Sequence, residues 1–358
     1  MDFALSSEQR LMQAALGRAL DDHSPLERVR AVAVAKDAAP RELWSGLAPL
    51  GLPGVLIAEE AGGLGLALLD AALMAEILGS RVAPTPFLSS AVLTPLALAA
   101  ETDPRLVAWL PRLASGEAIA SVGISEAVAG PRDGAGLSRK DGRLSGTALF
   151  VLGPPTADVF LFADASGDLH LVETDDPGLQ TIALSTIDDT QAVCEARLDR
   201  VAALPLERAR LALLRDAAFI ILAGDMLGAA QAMLDKALAY ARERQQFGRP
   251  IGAFQAVKHL CAEMAAEIEP ARALVWYAAH AFDAMPDEAS LAACHAKAHL
   301  SEVGRFVART ATEVHGGIGF TDLLGLHFWF KRVGLSRQLL GGPERVRLEA
   351  ARLQGLAA

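Results

Sequence analysis

Cysteine is scarce: Cys194, Cys261 and Cys294 are the only three thiols in 358 residues, with no CxxC pair among them. That spacing excludes a disulfide framework and a thiolate zinc site, and it suits a reducing, cytoplasmic setting. Positive charge is in deficit. Lys and Arg number 33 against 43 Asp and Glu, a formal net charge of −10, which excludes a general binder of nucleic acid or anionic membrane. A polyanionic ligand would therefore need local donors, because the overall field repels it. The opening Met1-Asp-Phe-Ala-Leu-Ser-Ser-Glu8 has neither a basic start nor an apolar core, so no secretory signal is expected. No apolar run reaches membrane-spanning length. Internal repeats, low-complexity tracts and metal-ligand clusters are likewise not found.

What is present is apolar and helix-prone. Hydrophobic residues make up 52% of the chain, with Ala and Leu dominant, and the length suffices for two or three domains. The first part, 1–116, reads as helical. Ser6 is placed to cap a helix beginning near Ser7, with Gln9 completing a capping box. Further helices are expected from Trp44 to Leu50 before Gly51, and from Asp70 to Leu78 before Gly79. The middle part, 117–205, contains the β-rich segments Ile119–Ile124, Arg143–Leu152, Val159–Ala163 and Leu169–Val172 between turn residues. They predict a small antiparallel β domain. From 206 to 358 three long helical stretches predict an antiparallel bundle. The fold class is thus α+β and multidomain.

Two segments carry recognisable chemistry. Arg242-Glu-Arg-Gln-Gln-Phe-Gly-Arg-Pro-Ile-Gly-Ala-Phe254 follows a long apolar run, and His315-Gly-Gly-Ile-Gly-Phe320 follows about sixty residues later. Arg244 offers a planar fork suited to phosphate oxygens. Phe247 offers a flat face, and the glycines let backbone N–H groups approach an anion closely. Taken alone, each segment also reads as a solvated helix end and a plain inter-helix turn. Together, and with Glu59-Glu60, Gly62-Gly-Leu-Gly65 and Ser125-Glu126 upstream in the same order, they resemble the acyl-CoA dehydrogenase family of flavoproteins. The resemblance covers essentially the whole chain. It implies an N-terminal helical domain, a middle β domain and a C-terminal four-helix bundle, and it implies FAD as cofactor.

By that resemblance Arg244, Gln246, Phe247, Ile251, Phe254, Glu313, Gly316 and Gly317 grip the pyrophosphate and adenosine half of FAD, reaching the flavin of a neighbouring subunit. Glu313 departs from the family's usual Gln and would repel a pyrophosphate unless protonated or paired with Arg244. Ser125, Gly130 and Phe150 match positions that meet the flavin ring. There Pro131 replaces a donor Ser, and Leu152 replaces a Thr. The family's catalytic carboxylate position reads Leu340, and its second location falls near Ala218. Neither can take a proton. Asp225, inside an apolar helical run, and Glu344, just past Gly342, are the substitute bases to weigh, although Asp225 reads more readily as bonding a neighbouring helix. Asp216 reads as solvated. His315 reads as a packing residue, and His259 as a surface one.

The resemblance implies α,β-dehydrogenation of an acyl-CoA thioester, in fatty-acid or steroid side-chain β-oxidation. It further implies a homo- or hetero-oligomer, dimer or tetramer, with an electron-transfer flavoprotein as acceptor. A second reading is a non-catalytic partner subunit that donates the adenosine-side grip to a catalytic paralogue.

Overall fold

The structure is a computed structural model that describes residues 4–357. Met1, Asp2 and Phe3, which open the segment read above as lacking a signal, lie outside it, as does Ala358. Helices come first: α1 (Ser7–His23), α2 (Leu26–Ala35), α3 (Arg41–Leu47), α4 (Leu68–Ser80), α5 (Thr94–Leu98), α6 (Pro104–Val107) and α7 (Trp109–Ala114). The Gln9 N–H donates to Ser6 Oγ at 3.1 Å and the Ser6 N–H donates back to the Gln9 side chain at 3.0 Å. The capping box is therefore closed.

The strands follow: β1 (Ala120–Gly123), the short helix α8 (Ser125–Ala129), then β2 (Gly136–Lys140), β3 (Arg143–Leu152), β4 (Val159–Ala163), β5 (Leu169–Glu173), β6 (Leu179–Ala183), β7 (Val193–Ala202) and β8 (Leu204–Pro205). They form one sheet in the order β6-β7-β3-β1-β4-β5-β8, with β2 paired to β3. The expectation of a wholly antiparallel domain needs one correction. β1 runs parallel to β4, Ala120 beside Val159 through Gly123 beside Phe162. The β2–β3 hairpin carries the chain back between them, so β4 re-enters in the direction of β1. The β3–β7 register slips between Ala148 and Val151, and this irregularity holds Phe150 at φ 51°.

The remainder is helical: α9 (Leu211–Glu243), a small hairpin of β9 (Gln245–Gln246) and β10 (Arg249–Pro250), α10 (Gln255–Ala284), α11 (Pro286–His315), α12 (His327–Gln338) and α13 (Pro343–Leu353). The central helix α9 packs against α4, α10, α11 and α12. It is long and apolar enough to cross a membrane, contrary to the sequence expectation, but 89% of its apolar stretch is buried inside the fold. Its apolarity is that of a helix surrounded by other helices. α4 lies against it almost backbone to backbone. A Cβ added to Gly79 would stand 2.0 Å from the Asp225 carbonyl oxygen, and one at Gly228 would stand 1.8 Å from that of Glu76. Only glycine permits this approach.

All three regions of the chain meet at one buried cation. Arg332 of α12 donates through Nη2 and Nε to the Asp225 carboxylate of α9 at 2.8 and 3.0 Å. Its Nη1 donates to the Ala83 carbonyl behind α4 at 3.1 Å and to Thr190 Oγ1, between β6 and β7, at 3.2 Å. Asp188 holds Thr190 in place by accepting its N–H and hydroxyl at 2.9 and 2.6 Å. Burial pushes the Asp188 carboxyl above its ordinary range, with Arg332 and Thr190 pulling the other way. Removing one partner of a buried pair strands a charge, which costs about 3–5 kcal/mol, whereas replacing both by apolar groups costs far less. We expect Arg332→Leu to lose about that much in denaturant unfolding, and Arg332→Leu combined with Asp225→Leu to recover most of it. A single substitution that left stability unchanged would contradict the assignment.

Candidate functional site

α9 ends at Glu243 and Arg244 caps it, its N–H donating to the Tyr240 carbonyl at 2.8 Å. The chain then reverses through a two-residue turn, Phe247 (φ 54°) and Gly248 (φ 75°), with Arg249 opposite Gln246 and Pro250 opposite Gln245. Positive φ at both turn residues is what a tight hairpin needs. The cost falls on Phe247, whose ring is left 91% exposed. The Ile251 N–H donates to the Arg244 carbonyl at 2.8 Å and closes the loop. Phe254 meets Phe247 edge-on at 6.0 Å, and Arg249 lies over Phe254 at 4.2 Å. The Gln246 amide donates to the Gln245 carbonyl at 2.9 Å, leaving its oxygen outward on an exposed residue.

The second segment is brought alongside. His315, at the end of α11, stacks on Tyr240 one turn before Arg244, with centroids 4.8 Å apart. Its Nδ1 donates to the Ala311 carbonyl at 2.7 Å, and burial lowers its pKa. It is a packing residue. Beyond it Gly316 and Gly317 present bare backbone: a Cβ at either would meet nothing within 4 Å. Both glycines and Glu313 line an open groove of about 860 Å³ with Thr312, Phe320 and Phe330. Among the described residues, neither Arg244 nor Glu313 has a recorded ion-pair partner, so the pairing that would neutralise Glu313 is not made. An exposed free guanidinium, a flat exposed ring and bare glycine backbone are together what a dinucleotide's phosphates and adenine need.

The ring side is different. Ser125 is buried, and its hydroxyl donates to the Phe150 carbonyl at 2.9 Å, so it is committed to holding the β3 irregularity. The Phe150 face is covered by the guanidinium of Arg132, 5.0 Å from the ring centroid. Glu126 fixes that arginine at 3.1 Å and accepts the Leu149 N–H at 3.3 Å. At Gly130 (φ 91°) an added Cβ would stand 2.8 Å from an Arg345 guanidinium nitrogen, so α13 packs over this loop. Leu152 is buried and brings no hydroxyl. The residues that fit FAD are thus those of the Arg244 and Gly316 segments. Around Phe150 the space is filled by this chain's own arginines, which the sequence reading did not anticipate because Arg132 looks there like an ordinary loop cation.

Leu340 follows the end of α12 at φ 59° and is buried. It lines a cavity of about 250 Å³ with Val128, Leu211, Arg215, Phe219, Arg345 and Glu349. Ala218 is fully buried in α9. Neither substitute base faces this cavity. Asp225 is held by Arg332, as its alternative reading foresaw. Glu344 is exposed in the first turn of α13, with its carboxylate 3.3 Å from Arg337. Asp216 departs from its sequence reading as solvated. It is buried, accepts from Arg215 at 2.8 Å and from the Ser290 hydroxyl, and burial raises its pKa. Its partners come from α9 itself and from α11, and the second of these no local pattern shows. His259 lies exposed near the start of α10, as expected.

Comparison with known proteins identifies the family. The sequence model "Acyl-CoA dehydrogenase, N-terminal domain" matches residues 6–117, and "Acyl-CoA dehydrogenase, C-terminal domain" matches 218–353. Acyl-CoA dehydrogenase IpdE2 of Mycolicibacterium smegmatis is 31% identical over 97% of this chain and 99% of its own length. Among solved structures, the "Tcur3481-Tcur3483 steroid ACAD G363A variant" superimposes with a TM-score of 0.89 at 32% identity, covering 97% of this chain and 98% of that one. The ChsE4-ChsE5 complex from Mycobacterium tuberculosis gives 0.90 at 27% identity, covering all of both chains. The chain belongs to the acyl-CoA dehydrogenase family, FAD-dependent oxidoreductases that introduce an α,β double bond into an acyl-CoA thioester.

Proposed function

We propose that this chain takes part in that dehydrogenation chiefly by presenting Arg244, Gln246, Phe247, Gly316 and Gly317 to FAD across a subunit seam. The observation that carries the reading is the contrast between two halves. The groups a neighbour would use are exposed, and among the described residues the Arg244 guanidinium has no ion-pair partner, while the ring-side wall at Phe150 is occupied by Arg132. When bound, FAD supplies the hydride acceptor. This chain's residues orient its phosphates, shield its adenine and exclude water along the Phe320 and Phe330 groove. In this reading Ile251 and Phe254 back the adenine side, and Glu313 sits at the pyrophosphate edge.

The second reading, a non-catalytic partner of a Glu-bearing paralogue, is favoured by Leu340. No carboxylate lines the cavity at the base position except Glu349, which is already held by Arg215 at 2.7 Å. The two similar solved structures carry paired names, "Tcur3481-Tcur3483" and "ChsE4-ChsE5 complex", which supports a hetero-oligomer. The word "steroid" in the first supports a steroid-derived acyl group. We keep an electron-transfer flavoprotein as the electron acceptor and a cytoplasmic location for the assembly, the latter in line with three free, buried cysteines.

Two measurements test this. Arg244→Ala removes charge-assisted bonds worth about 1.5–3 kcal/mol, so FAD affinity should fall roughly ten- to hundredfold, read from flavin absorbance after gel filtration. Unchanged flavin content would remove the assignment. Leu340→Glu separates the two roles. A chain that houses a flavin ring beside position 340 should gain on the order of 10²-fold or more in turnover. We expect no gain in the chain alone, and FAD uptake only on assembly with a Glu-bearing paralogue.

A further inference from the structure

The cavity beside Leu340 has an unbalanced wall. Val128, Leu211, Phe219, Leu340 and Val346 give it an apolar lining, and three arginines and one carboxylate border it as well. Two of the arginines are accounted for. Arg215 pairs with Asp216 at 2.8 Å and with Glu349 at 2.7 Å, and Arg352 lies 4.0 Å from the other Glu349 oxygen. Glu349 is thereby engaged on both sides. Arg345 is the remaining cation, and among the described residues it has no hydrogen-bond or ion-pair partner. Its guanidinium nonetheless has a defined seat. Gly130 stands at φ 91°, and a Cβ there would come within 2.8 Å of Arg345 Nη1, so bare backbone is what admits the group. The Leu340 wall is fixed too. It follows the end of α12, whose Ser336 and Arg337 carbonyls accept from Nζ of the fully buried Lys297 of α11 at 2.7 and 3.1 Å.

We propose that this cavity binds a small organic carboxylate, with its anionic head on Arg345 and its aliphatic tail against Leu340, Phe219 and Val128. One unmatched cation calls for one negative charge. An inorganic anion would leave the apolar walls unmatched, and a neutral chain would leave the guanidinium so. The volume, about 250 Å³, gives room for roughly eight non-hydrogen atoms at the ~30 Å³ that a water takes in the liquid. Leucine at 340 is part of the fit, because a carboxylate side chain there would repel the ligand's own. In a chain of net charge −10 the ligand depends on this local donor, not on the overall field. The site uses none of the residues that present themselves to FAD and requires no flavin.

The test is a ligand-observed NMR titration of the full-length chain with hexanoate and with hexanamide, its neutral analogue of the same size. Wild type should bind hexanoate roughly ten- to hundredfold more tightly, the range that charge-assisted hydrogen bonding gives. Affinity should rise about fourfold per CH₂ from butanoate to hexanoate, as burial of each methylene against the apolar wall predicts. Arg345 is exposed, so the fold should tolerate its substitution. Arg345→Met should bring the acid-to-amide ratio close to one, and Arg345→Lys, which keeps the charge but not the planar fork, should retain part of it. Arg347→Met, an exposed arginine of the same helix that does not line the cavity, should leave the ratio unchanged. Leu340→Glu should cut hexanoate binding at least tenfold, which places the ligand in the cavity and not on the outer surface. A wild type that does not distinguish acid from amide overturns the proposal without recourse to any variant. An unchanged ratio in Arg345→Met overturns it as well, and so does sulfate binding more tightly than hexanoate, which would assign Arg345 to an inorganic ion.

Discussion

The architecture depends on a single buried guanidinium. Arg332 has no water to solvate it, so every donor it presents must find an acceptor within the fold. Those acceptors come from α9, from the segment after α4, and from the loop between β6 and β7. A hydrophobic junction would tolerate sliding between the helical and sheet parts of the chain. A charge that is costly in any other arrangement does not. Asp225, the most attractive substitute base in the sequence, is therefore unavailable for proton transfer: its lone pairs complete the solvation of Arg332. The same carboxylate cannot serve both ends.

The fixed junction sets the register of everything C-terminal to it. Arg332 lies two turns before Leu340 on α12, so anchoring the one locates the other against the sheet. Lys297 then finishes α12 from the side. On the opposite end of the bundle Tyr240 and His315 stack, which brings the termini of α9 and α11 together and places two segments sixty residues apart on one surface. The two ends behave differently because their donors face differently. At the Arg244 end, the guanidinium and the Phe247 ring are exposed, and the guanidinium has no ion-pair partner among the described residues. At the Phe150 end, Arg132 is paired with Glu126 and the Ser125 hydroxyl with the Phe150 carbonyl, and a ligand there would have to displace bonds already made.

What could be read from the sequence was what is local. The capping box at Ser6 and Gln9, both ends of β3, and both ends of β4 follow from turn residues and side-chain period within a few positions. β7 is harder to read, although Cys194, Ala196 and Leu198 alternate inward against Glu195, Arg197 and Asp199, because Asp199 and Arg200 stand side by side and Arg200 at φ 52° breaks the pattern. β2 was hidden for a similar reason, with Leu137 its one buried residue. The parallel β1–β4 pairing depends on which strands become neighbours in the sheet, and no window of sequence records that. Of the site, the Arg244 and Gly316 segments were legible because bare glycines and an arginine fork have few other uses together. The closure of the ring side was not, since Arg132 over Phe150 and Arg345 against Gly130 are contacts between elements.

Leu340 joins these strands of argument. A leucine in the left-handed region is uncomfortable, costing on the order of 1 kcal/mol against an extended or helical backbone. Leu340 itself brings no proton-transfer group here, and its backbone is flanked by the Lys297 bond to the Ser336 carbonyl and by the Gly341 N–H bond to Gln338. A side chain and a backbone at one position answer to different constraints. The first can change whenever its chemistry is supplied elsewhere in an assembly. The second persists as long as the helix end, the buried lysine and the cavity beside them are part of the fold.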